Sequence, residues 1–268
     1  MNRIGFLFKS ATALLLTALL AGCGSGGDGR SLGQTPDPAG PPTAAGVGTG
    51  VGGLGRGPAP VPLGTAGAFT ILSANELANI GPSVVTGNVG STYAPGSQVE
   101  LTCGEVLGTI YKRDRTGDSC MQRDLTLLTV AKADGDAAFN DSKDRVPDYT
   151  ELGDGNIGGR NLGPATYKWT TPVQVATDLT LTGGPNDVWI FYMEQGLIVS
   201  ADVRILLKGG ALPQNVFWAP TFQVELGSGS QFKGILLPAA TVLMGNGASL
   251  YGAILAEGVH LDHNIVSP

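Results

Sequence analysis

Val224-Glu-Leu-Gly-Ser-Gly229 leads into Gln231-Phe-Lys-Gly234, and Val242-Leu-Met-Gly-Asn-Gly247 leads into Ser249-Leu-Tyr-Gly252. The second pair superposes on the first without a gap: Val224 on Val242, Leu226 on Met244, Phe232 on Leu250 and Gly234 on Gly252, each eighteen residues apart. Eighteen residues is about the length of one triangular coil, three strands of roughly four residues with turns between them. One such coil cannot bury its own apolar side, but a stack of them buries a continuous core. The repeat therefore predicts long flat faces rather than a pocket, and it directs the functional question to surfaces.

Working outward, Gly183-Gly184 and Gly209-Gly210 stand 26 residues apart. Each precedes an apolar strand with a tryptophan, Asn186-Asp-Val-Trp-Ile-Phe191 and Gln214-Asn-Val-Phe-Trp-Ala219. These coils are longer than the last ones, so the repeat is irregular. Short strands are also expected at Phe69–Leu72, Ser83–Gly90, Thr166–Trp169, Val173–Val175 and Leu179–Leu181. Between about Gln122 and Asp144 the period changes. Leu125, Leu128, Ala131, Ala138 and Phe139 recur largely at three, four and seven, which predicts an amphipathic helix despite Gly135. Such a helix is roughly 35 Å long and matches several coils stacked about 4.8 Å apart. The expected fold is mainly β: an irregular right-handed β-solenoid, or triangular β-helix, with one long α-helix packed alongside. Inward positions are expected at Val188, Ile190, Val216, Phe222, Val224, Leu226, Phe232, Val242, Met244, Leu250 and Leu261.

The composition suits a turn-rich exported β protein, with 42 glycines and 17 prolines in 268 residues and only 14% charged residues. A net charge of −6 argues against nucleic acid, which needs clustered cations. At the N-terminus Arg3 and Lys9 precede Ala11-Thr-Ala-Leu-Leu-Leu-Thr-Ala-Leu-Leu20, an apolar run too short to span a bilayer comfortably. It continues into Leu20-Ala-Gly-Cys23, which is similar to the lipobox of bacterial lipoproteins. Residues 1–22 are then a leader and Cys23 the lipidated first residue. Gly24 stands where an aspartate would signal inner-membrane retention, which favours the outer membrane or cell surface. From Gly24 to Gly64, 21 of 41 residues are Gly or Pro. Residues 23–64 therefore read as a flexible tether, with the folded domain at 65–268. The membrane is expected to be met through the lipid anchor only.

Cys103 and Cys120 are the remaining cysteines. In an exported chain they are most simply a disulfide closing the charged loop Tyr111 to Asp118. The closure effect is on the order of 3 kcal/mol. A metal reading lacks companion ligands. Catalysis has little support, because no nucleophile elbow, zinc-protease, P-loop or dinucleotide motif occurs. His260 and His263 fall on opposite sides of a strand with Asp262 between them. Asp134/Asp136 and Asp141/Asp144 read as the solvated side of the helix. No enzyme, metal or cofactor is expected.

The segments Ala68–Leu72, Asn79–Gly90, Leu162–Trp169, Leu179–Phe191, Phe232–Leu237 and Gly247–Tyr251-Gly252 resemble the large microbial ice-binding protein family, from about Thr65 to Pro268. That resemblance implies a discontinuous solenoid whose first strands pair with its last ones. It also implies a helix that interrupts the coils and packs against them, and a cap insert near residues 95–121. Members are secreted or surface-attached; many bind ice and others have no demonstrated activity. The implied partner is an ice crystal surface, met by a monomer, or an extracellular surface ligand if the domain has kept the fold as a structural or adhesive module.

An ice-binding face must be flat, rigid and uncharged, with small side chains that hold water in a lattice-like spacing. Thr180-Leu-Thr182 offers two hydroxyls on one side of a strand about 6.8 Å apart. In the last coils, Gln223 and Thr241 point outward if Val224 and Val242 point in, and Thr221 precedes them. The ice-face candidates are thus Thr180, Thr182, Thr221, Gln223 and Thr241. Glu225, Leu243 and His260 form the neighbouring outward column, which is neither flat nor uniformly small.

Overall fold

The computed structural model describes residues 55–268. The leader and Cys23 lie outside the described residues, as does most of the expected tether. Parallel strands wind into a three-sided solenoid with two sheets, one of 17 strands and one of three. The repeat sets the register directly: Val224 pairs Val242, Leu226 pairs Met244, Phe232 pairs Leu250 and Gly234 pairs Gly252. The last pairing requires glycine. Gly252 has φ of 143°, and a Cβ there would lie 2.0 Å from the Gly234 carbonyl oxygen.

One side of the solenoid carries the helix. Its strands run in space from Gln122–Arg123 through Ile110–Lys112, Asn88–Ser91 and the first half of Phe69–Asn79. They continue through the middle of Ser249–Leu261, then Gln231–Leu236, Val216–Pro220, Trp189–Met193, Thr166–Trp169 and Tyr149–Thr150. The first strand thus lies beside the last long one, in the interior of the stack. Ile71 pairs Ile254, and Leu77 pairs Val259.

The helix spans Leu125–Asp144, three residues later than the sequence period suggests. Its start is set by Asp124, whose carboxylate accepts the Leu127 N–H at 2.9 Å, while Gln122–Arg123 are taken by the sheet. Its 20 residues cover about 30 Å, the height of six or seven rungs about 4.8 Å apart. Leu128, Ala131 and Ala138 are buried against Leu72, Ile190, Phe217 and Leu255. Lys132 reaches Asp136 at 2.6 Å and Glu257 at 3.1 Å, tying helix to sheet. Burial alone would lower the Lys132 pKa, but these hydrogen bonds outweigh it and hold it above the usual value.

A separate core fills the solenoid interior. It contains a column of rings on successive coils, Tyr149, Tyr167, Phe191, Trp218 and Phe232, with centroids 4.1 to 5.2 Å apart. Val216, Val224, Leu226, Phe232, Val242, Met244, Leu250 and Leu261 point into this interior as expected. Three expectations need correction. Val188 and Ile190 are buried but face the helix, because Trp189–Met193 is covered on both sides: Trp189, Phe191 and Met193 take the interior. Phe222 is 53% exposed, since it lies in the bend after Pro220 rather than on a strand, where alternation does not apply.

The described chain also engages the solenoid before Thr65. Arg56 pairs with Asp187 at 3.2 Å, and the Val188 N–H donates to the Arg56 carbonyl. Val61 is buried in the core under the helix. Asp134, expected to be solvated, accepts the Thr65 N–H at 2.6 Å and holds this segment against the helix. Contacts with the solenoid thus begin before residue 65 among the described residues. Among the described residues, both cores are built from residues 61–266.

At the other end, Cys103 is bonded to Cys120. Beside this cap, Glu105 binds four donors: Asn79 Nδ2 at 2.8 Å, Ser83 N–H at 3.0 Å, and Thr102 N–H and Oγ1 at 2.8 and 2.7 Å. Partial burial pushes its pKa up, but donors from Thr102, Ser83 and Asn79 prevail and hold it below the usual carboxylate value. A depressed carboxyl pKa contributes stability that is present above the unfolded value, about 4.3, and is lost as pH falls through the folded one. Glu105→Gln is therefore expected to lose about 1–3 kcal/mol at neutral pH, a charged acceptor being replaced by a neutral one that brings its own donors. Urea unfolding at pH 7 and pH 3.5 checks this. The gap between variant and parent should be narrower at the second than at the first.

Candidate functional site

The helix occludes one of the three sides, which leaves two open faces. The first is continuous. Val173–Val175, Leu197–Val199, Val224–Leu226, Thr241–Met244, the end of Ser249–Leu261 and the end of Phe69–Asn79 stack in unbroken parallel register, and single bridges add Asn156 at one end and Val99 at the other. These eight rungs span about 34 Å at about 4.8 Å per step. Alternation sends Val173, Leu197, Val224, Val242 and Val259 inward. The central outward row is Gln174, Ile198, Glu225, Leu243, His260 and Ala78. Beside it Thr241 pairs with Gly258, and Gly258 in turn with Glu76. Gly258 lies under the Thr241 side chain: a Cβ there would sit 2.8 Å from the Thr241 hydroxyl. A glycine opposite a threonine keeps this row low.

The polar groups on this face partner one another in part. His260 Nε2 lies 2.9 Å from Glu76, and the Gln223 amide donates to Glu225 at 2.9 Å. His263 is separate, at the corner, where its ring meets Asp262 at 2.7 Å and Asn246. Hydrogen bonds from His263 and Asn246 lower the Asp262 pKa. The two histidines do not converge on a common point, because His263 lies in the bend after Ser249–Leu261, where strand alternation does not apply.

The second open face is divided. Asn161–Leu162, Leu179–Thr182 and Ile205–Lys208 form the three-stranded sheet. A single bridge, Arg204 to Gln231, joins it to the next group. That group comprises the starts of Gln231–Leu236 and Ser249–Leu261, followed by Ile265–Ser267, Val84–Thr86 and Val106–Leu107.

The sequence candidates therefore do not form one site. Gln223 and Thr241 share the continuous face. Thr221 sits at its edge, in the bend, and its hydroxyl donates to the Met193 carbonyl at 3.1 Å. Thr180 and Thr182 stand on the divided face, where the Thr182 hydroxyl is spent on Asn161 at 2.7 Å. Residues that sequence patterning passed over are Gln174, Ile198 and Ala78, which extend the face of Thr241. Gln174 and Ile198 follow the same inward–outward alternation as Glu225 and were readable from Val173-Gln-Val175 and Leu197-Ile-Val199. Cys103, Asp118 and Cys120 come together, but the two sulfurs are bonded to each other and offer no thiolate. A cleft lined by Lys132, Phe139, Leu237 and Glu257 runs beside the helix, away from both open faces.

A helix-braced solenoid whose exposed features are bare sheet faces is a surface-binding scaffold, not a pocket protein. Residues 71–267 match the ice-binding-like family, and the chain belongs to that family. It is 40% identical over 207 residues to an ice-binding protein of Flavobacterium frigoris (strain PS1), covering 76% of this chain and 75% of that one. An ice-binding protein of a Colwellia species is also 40% identical, over 76% of this chain and 82% of its own length. Among solved structures, the antifreeze ice-binding protein LeIBP from an Arctic yeast superposes with a TM-score of 0.73 at 31% identity, covering 78% of this chain and 94% of that one. The family is non-catalytic.

Proposed function

We propose that this protein binds ice through its continuous open face, inhibiting recrystallisation or holding a cell against ice. The observation that carries this reading is the unbroken register of that face over six laddered rungs, joined to 40% identity with proteins named for ice binding. Ice offers a repeating lattice with no charge and no protruding group, so affinity grows with the number of rungs that meet it at once. The helix-covered side is unavailable, and the divided face breaks register between Lys208 and Gln231. Gln223 and Thr241 are the candidate contacts, with Gln174 and Ala78 in the adjoining row. Glu225, Leu243 and His260 interrupt the pattern, so the expected activity is modest.

The protein is read as a monomer exported through its N-terminal leader and anchored at Cys23 in the outer membrane or on the cell surface. The basic end, apolar run and Leu20-Ala-Gly-Cys23 support that reading. The test of function is ice growth itself. Residues 55–268 at micromolar concentration should produce thermal hysteresis or arrest the coarsening of ice grains. Unchanged ice growth across that range would favour the second reading, a non-catalytic surface domain of structural or adhesive role. Glu76, Glu225 and His260 on the open face are the observation in its favour.

A further inference from the structure

We infer that the divided open face docks on an anionic lipid bilayer, a role separate from ice contact. Its C-terminal rungs carry four bare apolar side chains on neighbouring strands. Ile265 and Val84 are paired neighbours, 52% and 47% exposed. Tyr251 and Leu107 flank them, 44% and 66% exposed, with Ser249, Ser267 and Thr86 filling the positions between. None of these seven outward residues is charged.

Next to this patch the face turns cationic. Lys233 stands one rung beyond Tyr251, and Lys208 lies on the adjoining sheet. No described carboxylate lies within ion-pair distance of either lysine. Of the acids on this face, Asp178 is paired with Arg204 at 2.6 Å, while Glu105, beside Val84, is tied down by four uncharged donors. A chain of net charge −6 thus presents, on one face, two unpaired ammonium groups beside an aromatic and an aliphatic strip.

That combination fits a bilayer surface. Aliphatic side chains enter the acyl boundary, the Tyr251 phenol sits at headgroup level, and lysines reach anionic phosphates on flexible stems. A second copy of this chain fits less well, because its equivalent face offers no free carboxylate to meet Lys208 and Lys233. Docking by this face leaves the continuous face on another side of the triangular solenoid, open to solvent.

The test is flotation of residues 55–268, which lack Cys23 and hence any acyl chain, with phosphatidylcholine vesicles and with vesicles containing an equal amount of phosphatidylglycerol. Binding is expected to the anionic vesicles only, weakening with added salt. Lys208→Ser with Lys233→Ser should weaken it by about tenfold or more. Ile265→Asp should abolish it with the melting temperature unchanged, the site being exposed. Equal binding to both vesicle types, or none by the parent protein, overturns the proposal. So does a concentration-dependent dimer that Ile265→Asp disrupts without any vesicle binding, which would make the occupant a second copy. Ice-growth activity should be the same in the double lysine variant as in the parent. Its loss would reassign this face to ice, whereas a parent that floats but leaves ice unchanged would sink only the ice reading.

Discussion

Replacing Trp218 with alanine is expected to lower the unfolding free energy by about 3–5 kcal/mol, the range for emptying a fully buried large aromatic site. Trp218 is completely buried. Its ring stacks on Phe191 at 4.1 Å and meets Phe232 at 5.2 Å, and its Nε1–H donates to the Lys233 carbonyl at 3.1 Å. Truncation would open a cavity in the middle of the ring column and leave that carbonyl without its donor. Parallel rungs on either side cannot close in, because their spacing is fixed by the backbone hydrogen bonds of the sheet. Urea unfolding measures the loss directly. The outward Tyr251→Ala is the control and should stay within about 0.5 kcal/mol of the parent. A Trp218→Ala penalty below about 1 kcal/mol would mean that the interior repacks freely and that the ring column does not define the coil spacing.

The largest effect on function is expected from Thr241→Tyr. Thr241 is half-buried, points outward and pairs with Gly258, so a phenol ring there has no recess to enter and stands proud of the sheet. A flat crystal surface cannot fold around the ring. Lifting one rung also detaches its neighbours, so thermal hysteresis should fall by about tenfold or more, as for a central contact in a rigid interface. Stability should change by less than about 1 kcal/mol, because the new atoms lie outside both cores. Paired measurement of ice growth and melting temperature distinguishes the outcomes. Unaltered ice activity with an intact fold would place the contact elsewhere on the solenoid.

The architecture was readable wherever the sequence repeats under the same packing constraint. The eighteen-residue unit predicts the register of Val224 on Val242 and of Gly234 on Gly252, since the same apolar and glycine positions must recur for coils to stack. The helix was readable from its period, though not its first turn, where Asp124 caps and the sheet claims Gln122–Arg123. Two-sided burial defeated alternation at Val188 and Ile190: strand periodicity gives opposite directions but cannot say which of two apolar sides meets a helix. The engagement of Arg56 with Asp187 was hidden because it joins residues 131 apart through one ion pair, in a stretch whose Gly and Pro content reads as tether. The candidate site was legible only in part. Side-chain direction placed Gln223 and Thr241 together, while assigning Thr180 and Thr182 to a different side required the winding of the whole chain.

The position of the first strand has a consequence for how the molecule comes into being. Phe69–Asn79 lies between Asn88–Ser91 and Ser249–Leu261, so the rungs made last in time occupy the interior of the stack rather than one of its ends. A chain emerging N-terminus first holds its opening strand without one neighbour until nearly the whole polypeptide has passed. The cap group and the later coils can each begin to wind, but they join into one prism only when residues near Ile254 arrive beside Ile71. Joining of the coils therefore waits for Ser249–Leu261 to emerge, with the slow closure that distant pairings impose.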